Sequence, residues 1–343
     1  MAATARSDRR RAVAVFSPSG KSFRSGQGAT RPEAPLDEGV ESVVVDCICG
    51  ARARPGPTQA HLEAGHLGFF GRGPETPRWR PYSTNNASVC GSGAMGPERA
   101  TRGKGFELGL GPRDVHAWSI PLDGLDDAGF SSGALSAEER ARASRFRFPA
   151  DRRRFARAHA GARAILGAYL GVEPADVAIV VDEAGKPRLD PQRHPMALRF
   201  NLAHSHGLAV LAVSYSEIGI DLEFQRSPTD SDAVVRRYFS RNESAAYFAL
   251  PRALRAGAFF AAWTLKEAYL KACGDGLRRR LDSFSVTMRP DEPPRLLAVP
   301  DRPGEVTRWR LLRLAPRAGY VGAVAMTRCT ARVREWEWSG RIQ

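Results

Sequence analysis

No stretch of this chain approaches the ~18 consecutive apolar residues that a helical bilayer span requires, so none is expected. Arg9, Arg10 and Arg11 precede only the short apolar run AVAVF, less than the ~7–15 residues of a secretory h-region, which leads to the expectation of a cytoplasmic protein. Cysteine is scarce. The five residues Cys47, Cys49, Cys90, Cys273 and Cys329 are scattered and odd in number, which argues against a disulfide framework. Cys47 and Cys49 lack a second pair of ligands for zinc, and His204 and His206 have no Cys or carboxylate close by in sequence to complete a metal site. Also missing are a G-x-x-x-x-G-K-[ST] loop, a G-x-G-x-x-G turn after a strand and a G-x-S-x-G elbow.

Basic residues are what the chain has in excess. Lys and Arg number 51 against 37 Asp and Glu, a net charge of +14, which predicts affinity for nucleic acid, phosphorylated small molecules or an acidic protein. The excess of Arg over Lys with abundant Ala reads equally as the product of GC-rich coding DNA. The 33 Gly and 24 Pro are unevenly spread, crowding residues 1–112 together with Ser and Arg. That region sustains neither a helical nor a strand period and holds one short apolar run, VESVVVDCI, too little to offset chain entropy. A low-complexity, disordered extension is therefore expected at 1–112, with Met95 as an alternative start. At ~150 residues per domain the chain has room for about two domains.

From Asp114 the texture changes. VHAWSIPLD reads as a strand, and Ser136 with Glu139 has the spacing of a capping box that opens a helical stretch. DRRRFARAHAGARAILGAYLG is a long amphipathic helix with Phe155, Ala158, Ala162, Ile165, Leu166 and Tyr169 as its apolar stripe. Strands are expected at AIVVD, LRFNLAHS, LAVLAVSYS and EIGIDLEF. The order then repeats: a second capping box at Ser240 and Glu243, the helix bearing WTLKEAYLK that Gly274 is placed to stop, and strands SFSVTM, TRWRLLRLA and YVGAVAM. The terminal WEWSGRIQ is uninformative. This repetition predicts a mixed α+β fold of two similar units, 113–222 and 223–338, each a mainly antiparallel sheet packed on a long helix.

Two stretches carry candidate chemistry. On the strand IGIDLE, Asp221 and Glu223 share a face while Ile220, Leu222 and Phe224 point to the core. Two carboxylates on one face repel each other unless a cation or base lies between them, and oxygen donors suit Mg²⁺ or Mn²⁺. A solvated sheet edge is the plain alternative. In WTLKEAYLK, Trp263, Glu267 and Lys271 recur every four residues and share a helical stripe, either as surface decoration or as a third carboxylate with a phosphate-facing ammonium. Upstream, Arg142, Arg145, Arg152, Arg153, Arg154 and Arg163 crowd the first helices, Lys186 lies in a Gly-Lys-Pro turn and His204 at a strand-end corner.

GKP (Gly185 to Pro187), FNLAHS (Phe200 to Ser205), GIDLE (Gly219 to Glu223), WTLKEAYLKACGDGL (Trp263 to Leu277) and LDSFSV (Leu281 to Val286) stand in the order of the surfactin-synthetase-activating type of 4′-phosphopantetheinyl transferase, which residues 114–335 resemble. The resemblance implies two pseudo-twofold-related subdomains with coenzyme A in the cleft between them. It implies that Asp221, Glu223 and Glu267 hold Mg²⁺ (or Mn²⁺) against the pyrophosphate, and that Glu267, directly or through a bound water, is the base for a carrier-protein serine. Lys271 would steady the pyrophosphate as charge moves onto the departing adenosine 3′,5′-bisphosphate. His204, helped by Arg142 and Arg154, would contact the 3′-phosphate, and Lys186 and Pro187 would lie along the adenine and phosphate. Many members carry Ser where this chain has Ala203, so that hydroxyl contact is missing here. The expected enzyme is a monomer acting on coenzyme A and an apo acyl or peptidyl carrier protein, with neither nucleic acid nor membrane as partner. Two rivals remain on sequence alone: a metal-dependent phosphohydrolase using the same carboxylates, and a basic nucleic-acid-binding protein that uses the Arg-rich regions.

Overall fold

A computed structural model of the chain describes residues 98–100, 108–124, 132–225, 230–327 and 332–338. In chain order the strands are β1 (Glu98–Ala100), β2 (Asp114–Pro121), β3 (Ile179–Val181), β4 (Pro187–Leu189), β5 (Arg199–Ser205), β6 (Leu208–Ser214), β7 (Ile218–Phe224), β8 (Ser285–Val286), β9 (Leu296–Ala298), β10 (Arg310–Leu314), β11 (Tyr320–Met326) and β12 (Arg332–Trp338). The helices are α1 (Ala137–Ala143), α2 (Pro149–Leu170), α3 (Ser231–Tyr238), α4 (Arg241–Phe248), α5 (Arg252–Cys273) and the single turn α6 (Glu305–Arg308). The fold is mixed α+β. One sheet runs β1-β12-β2-β6-β5 and a second runs β10-β11-β7, with β3-β4 and β8-β9 as small ribbons.

Both capping boxes form as the spacing predicts. Ser136 and Ser240 each accept from the backbone N–H three residues on, and Glu139 and Glu243 reach back to the cap N–H groups. The two long helices end at Gly171 and Gly274 in left-handed conformation, φ 69° and 73°. The helical stretch that begins at Ser136 is two helices, because Pro149 takes the first position of α2 and the preceding residue is extended.

Alternation along the strands builds the layers. Trp118 and Ile120 of β2 and Leu211 and Val213 of β6 pack with Ile165 and Leu166 of α2. Their neighbours Val115, Ala117, Val210 and Ala212 face the other way and meet Ile218, Ile220 and Leu222 of β7 and Val324 and Met326 of β11. The opposite face of that second sheet is covered by α5, with Ala323 and Ala325 against Trp263, Ala268 and Ala272 in one cluster. Helix, sheet, sheet and helix therefore stack around an apolar seam between the sheets.

Several features differ from the sequence expectation. The tail RVREWEW is a strand in the first sheet, parallel to both β1 and β2, with Trp336 stacked on Trp118 at 5.6 Å between centroids. SFSVTM contributes only the two-residue β8, and the stretch before RLLRL forms α6 instead of extending the strand. The expected disordered extension lies mostly outside the described residues, although β1 falls within it. Strand β7 runs across the boundary expected between residues 222 and 223. Among the described residues no helix is long and apolar enough to cross a membrane.

Candidate active site

Strand β5 ends one sheet and β7 ends the other, and the two edges meet. Asn201 Oδ1 on β5 accepts from the Ile220 N–H at 2.7 Å, and Ser205 Oγ accepts from the Phe224 N–H at 3.1 Å. These bonds hold β7 where its polar face, Asp221 and Glu223, turns toward α5. Gly219 brings the two elements close: a Cβ there would lie 2.2 Å from the Ala268 carbonyl oxygen and 2.3 Å from the Ala272 nitrogen. Only a residue without a side chain permits that approach.

The approach buries Asp221 and Glu267 almost completely, at 3% and 1% exposure. Asp221 Oδ1 accepts from Lys271 Nζ at 2.5 Å, so the lysine of the helical stripe is bonded to the strand carboxylate. Asp221 Oδ2 and Glu267 Oε1 are buried without a hydrogen-bond partner. Burial raises the pKa of Glu267, and the charge of Asp221 raises it further; Asp221 is raised by burial too, against the pull of Lys271. Each of these buried carboxylates therefore favours its protonated form unless a cation neutralises the pair.

Glu223 is half-buried, and its Oε2 accepts from Ser205 Oγ at 3.2 Å. Among the described residues no three Asp, Glu, His or Cys side chains converge tightly enough to hold an ion as they stand. The orphaned oxygens of Asp221 and Glu267 nonetheless fit a divalent cation, because Mg²⁺ often takes only one or two carboxylates and completes its shell with phosphate oxygens and water. Glu223 would have to turn from Ser205 to join them.

A basic group stands beside the carboxylates. His204 of β5 is open to solvent and flanked by His159 of α2, Lys271 and Arg142 of α1. Desolvation and then these neighbours push its pKa down to about 4. The Arg142 guanidinium lies 5.3 Å from the centroid of the Phe155 ring, whose centroid is 4.1 Å from that of His159. Glu139 Oε1 pairs with His159 Nδ1 at 3.0 Å and Oε2 accepts from Arg163 Nε at 2.6 Å, so one carboxylate orients both. Sequence reasoning did not single out His159; its spacing of four from both Phe155 and Arg163 was the available signal.

The other residues expected at the site are placed differently. Arg154 is exposed enough to form a bidentate pair with Asp123, Nη2 to Oδ2 at 2.7 Å. Arg163 is buried and donates to the Val177 carbonyl, which makes it a structural member of α2. Pro187 opens β4 at the surface, paired with Val181. Lys186 is buried, and its ammonium donates to Glu217 Oε2, the Ile218 carbonyl and the Ala272 carbonyl. Lys266, next to Glu267, was also unmarked in the sequence. It is fully buried against Glu243, 2.8 Å from both carboxylate oxygens, and donates to the Phe284 carbonyl.

A family model described as the 4′-phosphopantetheinyl transferase superfamily matches residues 217–325, and one described as 4′-phosphopantetheinyl transferase, N-terminal, matches residues 126–216. The 4′-phosphopantetheinyl transferase HetI of Nostoc sp. is 40% identical over 230 residues, covering 66% of this chain and 92% of that protein. A 4′-phosphopantetheinyl transferase of Bacillus subtilis is 33% identical over 160 residues, covering 46% and 68% of the two chains. The 4′-phosphopantetheinyl transferase Sfp of Bacillus subtilis is 29% identical over 173 residues, covering 50% and 74%. The chain belongs to the 4′-phosphopantetheinyl transferase superfamily and has relatives of the Sfp type.

Proposed function

We propose that this enzyme moves the 4′-phosphopantetheine group of coenzyme A onto a serine hydroxyl of an apo acyl or peptidyl carrier protein, releasing adenosine 3′,5′-bisphosphate. The observation that carries the reading is the pair of orphaned, buried oxygens, Asp221 Oδ2 and Glu267 Oε1, beside the Lys271 ammonium. Such a site has unmet negative charge on one side and a phosphate-binding cation on the other. Phosphoryl transfer asks mainly for positioning and charge neutralisation, which these groups supply.

In this reading the serine oxygen attacks the phosphorus on the pantetheine side of the pyrophosphate. The bond from that phosphorus to the bridging oxygen breaks, and adenosine 3′,5′-bisphosphate departs with the electron pair. Glu267 takes the serine proton, which requires it to be ionised when coenzyme A is in place. A Mg²⁺ or Mn²⁺ ion held by Asp221 and Glu267, and by Glu223 if it turns inward, would supply the positive charge that ionises the carboxylates and screens the pyrophosphate. Lys271 leaves Asp221 to meet the pyrophosphate as charge gathers on the leaving group. His204 and Arg142 bind the 3′-phosphate, with His159 beside them. The enzyme works as a monomer in the cytoplasm, and its basic character favours an acidic carrier surface.

The test is mass spectrometry of a panel of apo carrier proteins incubated with the enzyme, coenzyme A and Mg²⁺. One added phosphopantetheine on the carrier serine is the expected result. Release of adenosine 3′,5′-bisphosphate from coenzyme A alone, with every carrier unmodified, would favour a hydrolase and sink the proposal.

A further inference from the structure

The Gly-Lys-Pro turn joins the two strands of the β3-β4 ribbon and reaches β7 and α5. Asp182 shapes that turn, its Oδ1 accepting from the Lys186 and Ala184 N–H groups at 2.9 and 3.0 Å. Gly185 adopts φ 89°, a conformation a side chain would strain. The turn thereby aims the Lys186 side chain inward, past the α5 end at Gly274, to a point between β7 and α5. There the ammonium meets the Ala272 carbonyl at 2.9 Å, the Ile218 carbonyl at 3.1 Å and Glu217 Oε2 at 3.3 Å. A lysine ammonium has three N–H donors, and here three acceptors surround it. Nothing is left over for a phosphate.

The two carbonyls belong to the two elements that carry the chemistry. Ala272 directly follows Lys271 in the last turn of α5, where carbonyls lack intrahelical partners and a cation is favoured. Ile218 opens β7, one residue before Gly219 and three before Asp221. The clamp thus grips the pair at the point where Gly219 lets them touch. Glu217 closes the third side and is itself held by Arg188 and Arg199, at 3.0 and 3.1 Å.

We propose that Lys186 is a positioning residue of the transfer reaction: its ammonium draws β7 and α5 together and so sets the spacing of Asp221 from Glu267 and Lys271. This rests on the transfer reading above and replaces the expectation that the Lys186 side chain contacts coenzyme A.

The test compares wild-type enzyme with Lys186→Met, which keeps most of the stem and removes the charge. Mn²⁺ is titrated into each protein with saturating coenzyme A and no carrier, and free Mn²⁺ is read by electron paramagnetic resonance. Steady-state transfer to a carrier protein gives kcat and KM for coenzyme A separately. The expected result is Mn²⁺ binding weakened roughly 10–100-fold, the scale of a lost outer-shell partner, with kcat reduced and KM for coenzyme A changed by no more than about twofold. A raised KM for coenzyme A with unchanged Mn²⁺ binding would overturn the proposal in favour of direct contact. A lower melting temperature with both Mn²⁺ binding and kcat unchanged would also overturn it, leaving only a structural staple. If Lys186→Met does not fold, Lys186→Arg, which keeps the charge and can still donate to the carbonyls, must shift Mn²⁺ binding in the same direction by less. Wild-type enzyme that modifies no carrier sinks the transfer reading itself, and that is visible before any variant is made.

Discussion

In the proposed transfer mechanism, Glu267 is pulled toward opposite protonation states. A general base must be ionised, yet burial and the Asp221 charge raise its pKa. A raised folded-state pKa means that the proton-bound form favours the fold. That stability is fully present below the ordinary carboxylate range and is lost as pH rises through the raised value. Metal-free wild-type protein should therefore lose thermal stability as pH climbs from the ordinary carboxylate range toward and past neutrality, and Glu267→Gln should flatten that slope. Melting curves in chelator across this range check the sign. The same variant should lower transfer by roughly 10²–10⁴-fold, the usual contribution of a positioned base, while remaining folded. Near-normal turnover at saturating Mg²⁺ would remove Glu267 from the mechanism. The sequence placed Asp221 with Glu223 and Glu267 with Lys271, because periods of two and of four are local. It could not show that Lys271 bonds Asp221, or that Glu223 is engaged by Ser205, since those pairs form only when separate elements meet.

At the scale of elements, α5 is held against β7 at Gly219 and against α4 by one buried ion pair. Gly219→Ala should cost about 3 kcal/mol or more, since the added carbon meets backbone atoms that cannot move aside without parting strand from helix. Urea denaturation would read this loss, and a cost near zero would show that the contact is looser than described. Lys266 and Glu243 join α5 to α4 and to the Val286 N–H, which donates to Glu243 Oε1 at 2.8 Å. Lys266→Met leaves that carboxylate buried without its cation and should destabilise the protein by about 3–5 kcal/mol. Pairing it with Glu243→Gln should recover part of the loss, a coupling that a double-mutant cycle measures. The caps of these helices were legible because a Ser followed by Glu three residues on is a local device. The Lys266–Glu243 pair was not, since in sequence Glu243 reads only as a cap residue and Lys266 as ordinary surface charge.

At the scale of the molecule, β12 returns from the end of the chain to lie between β1 and β2. Trp338 packs so closely on α2 that a Cβ at Gly161 would come within 2.9 Å of its ring. Deleting residues 331–343 would strip β2 of this neighbour and expose the apolar face of Trp118 that Trp336 covers, so the shortened chain should fail to give soluble folded protein. Soluble, transfer-competent protein from that truncation would show the strand to be dispensable. By itself the sequence determined the long helices, their caps and stops, most strands, and the carboxylates offered on one face of β7, because each depends on near neighbours and a repeating period. Only tertiary structure decided that the tail is a strand of the first sheet and that Lys186 faces two carbonyls instead of solvent. It also decided that His159 joins Arg142 and His204, and that Asp221 and Glu267 are buried together with unmet oxygens. Those outcomes depend on contacts between residues far apart in the chain, where no sequence period reaches.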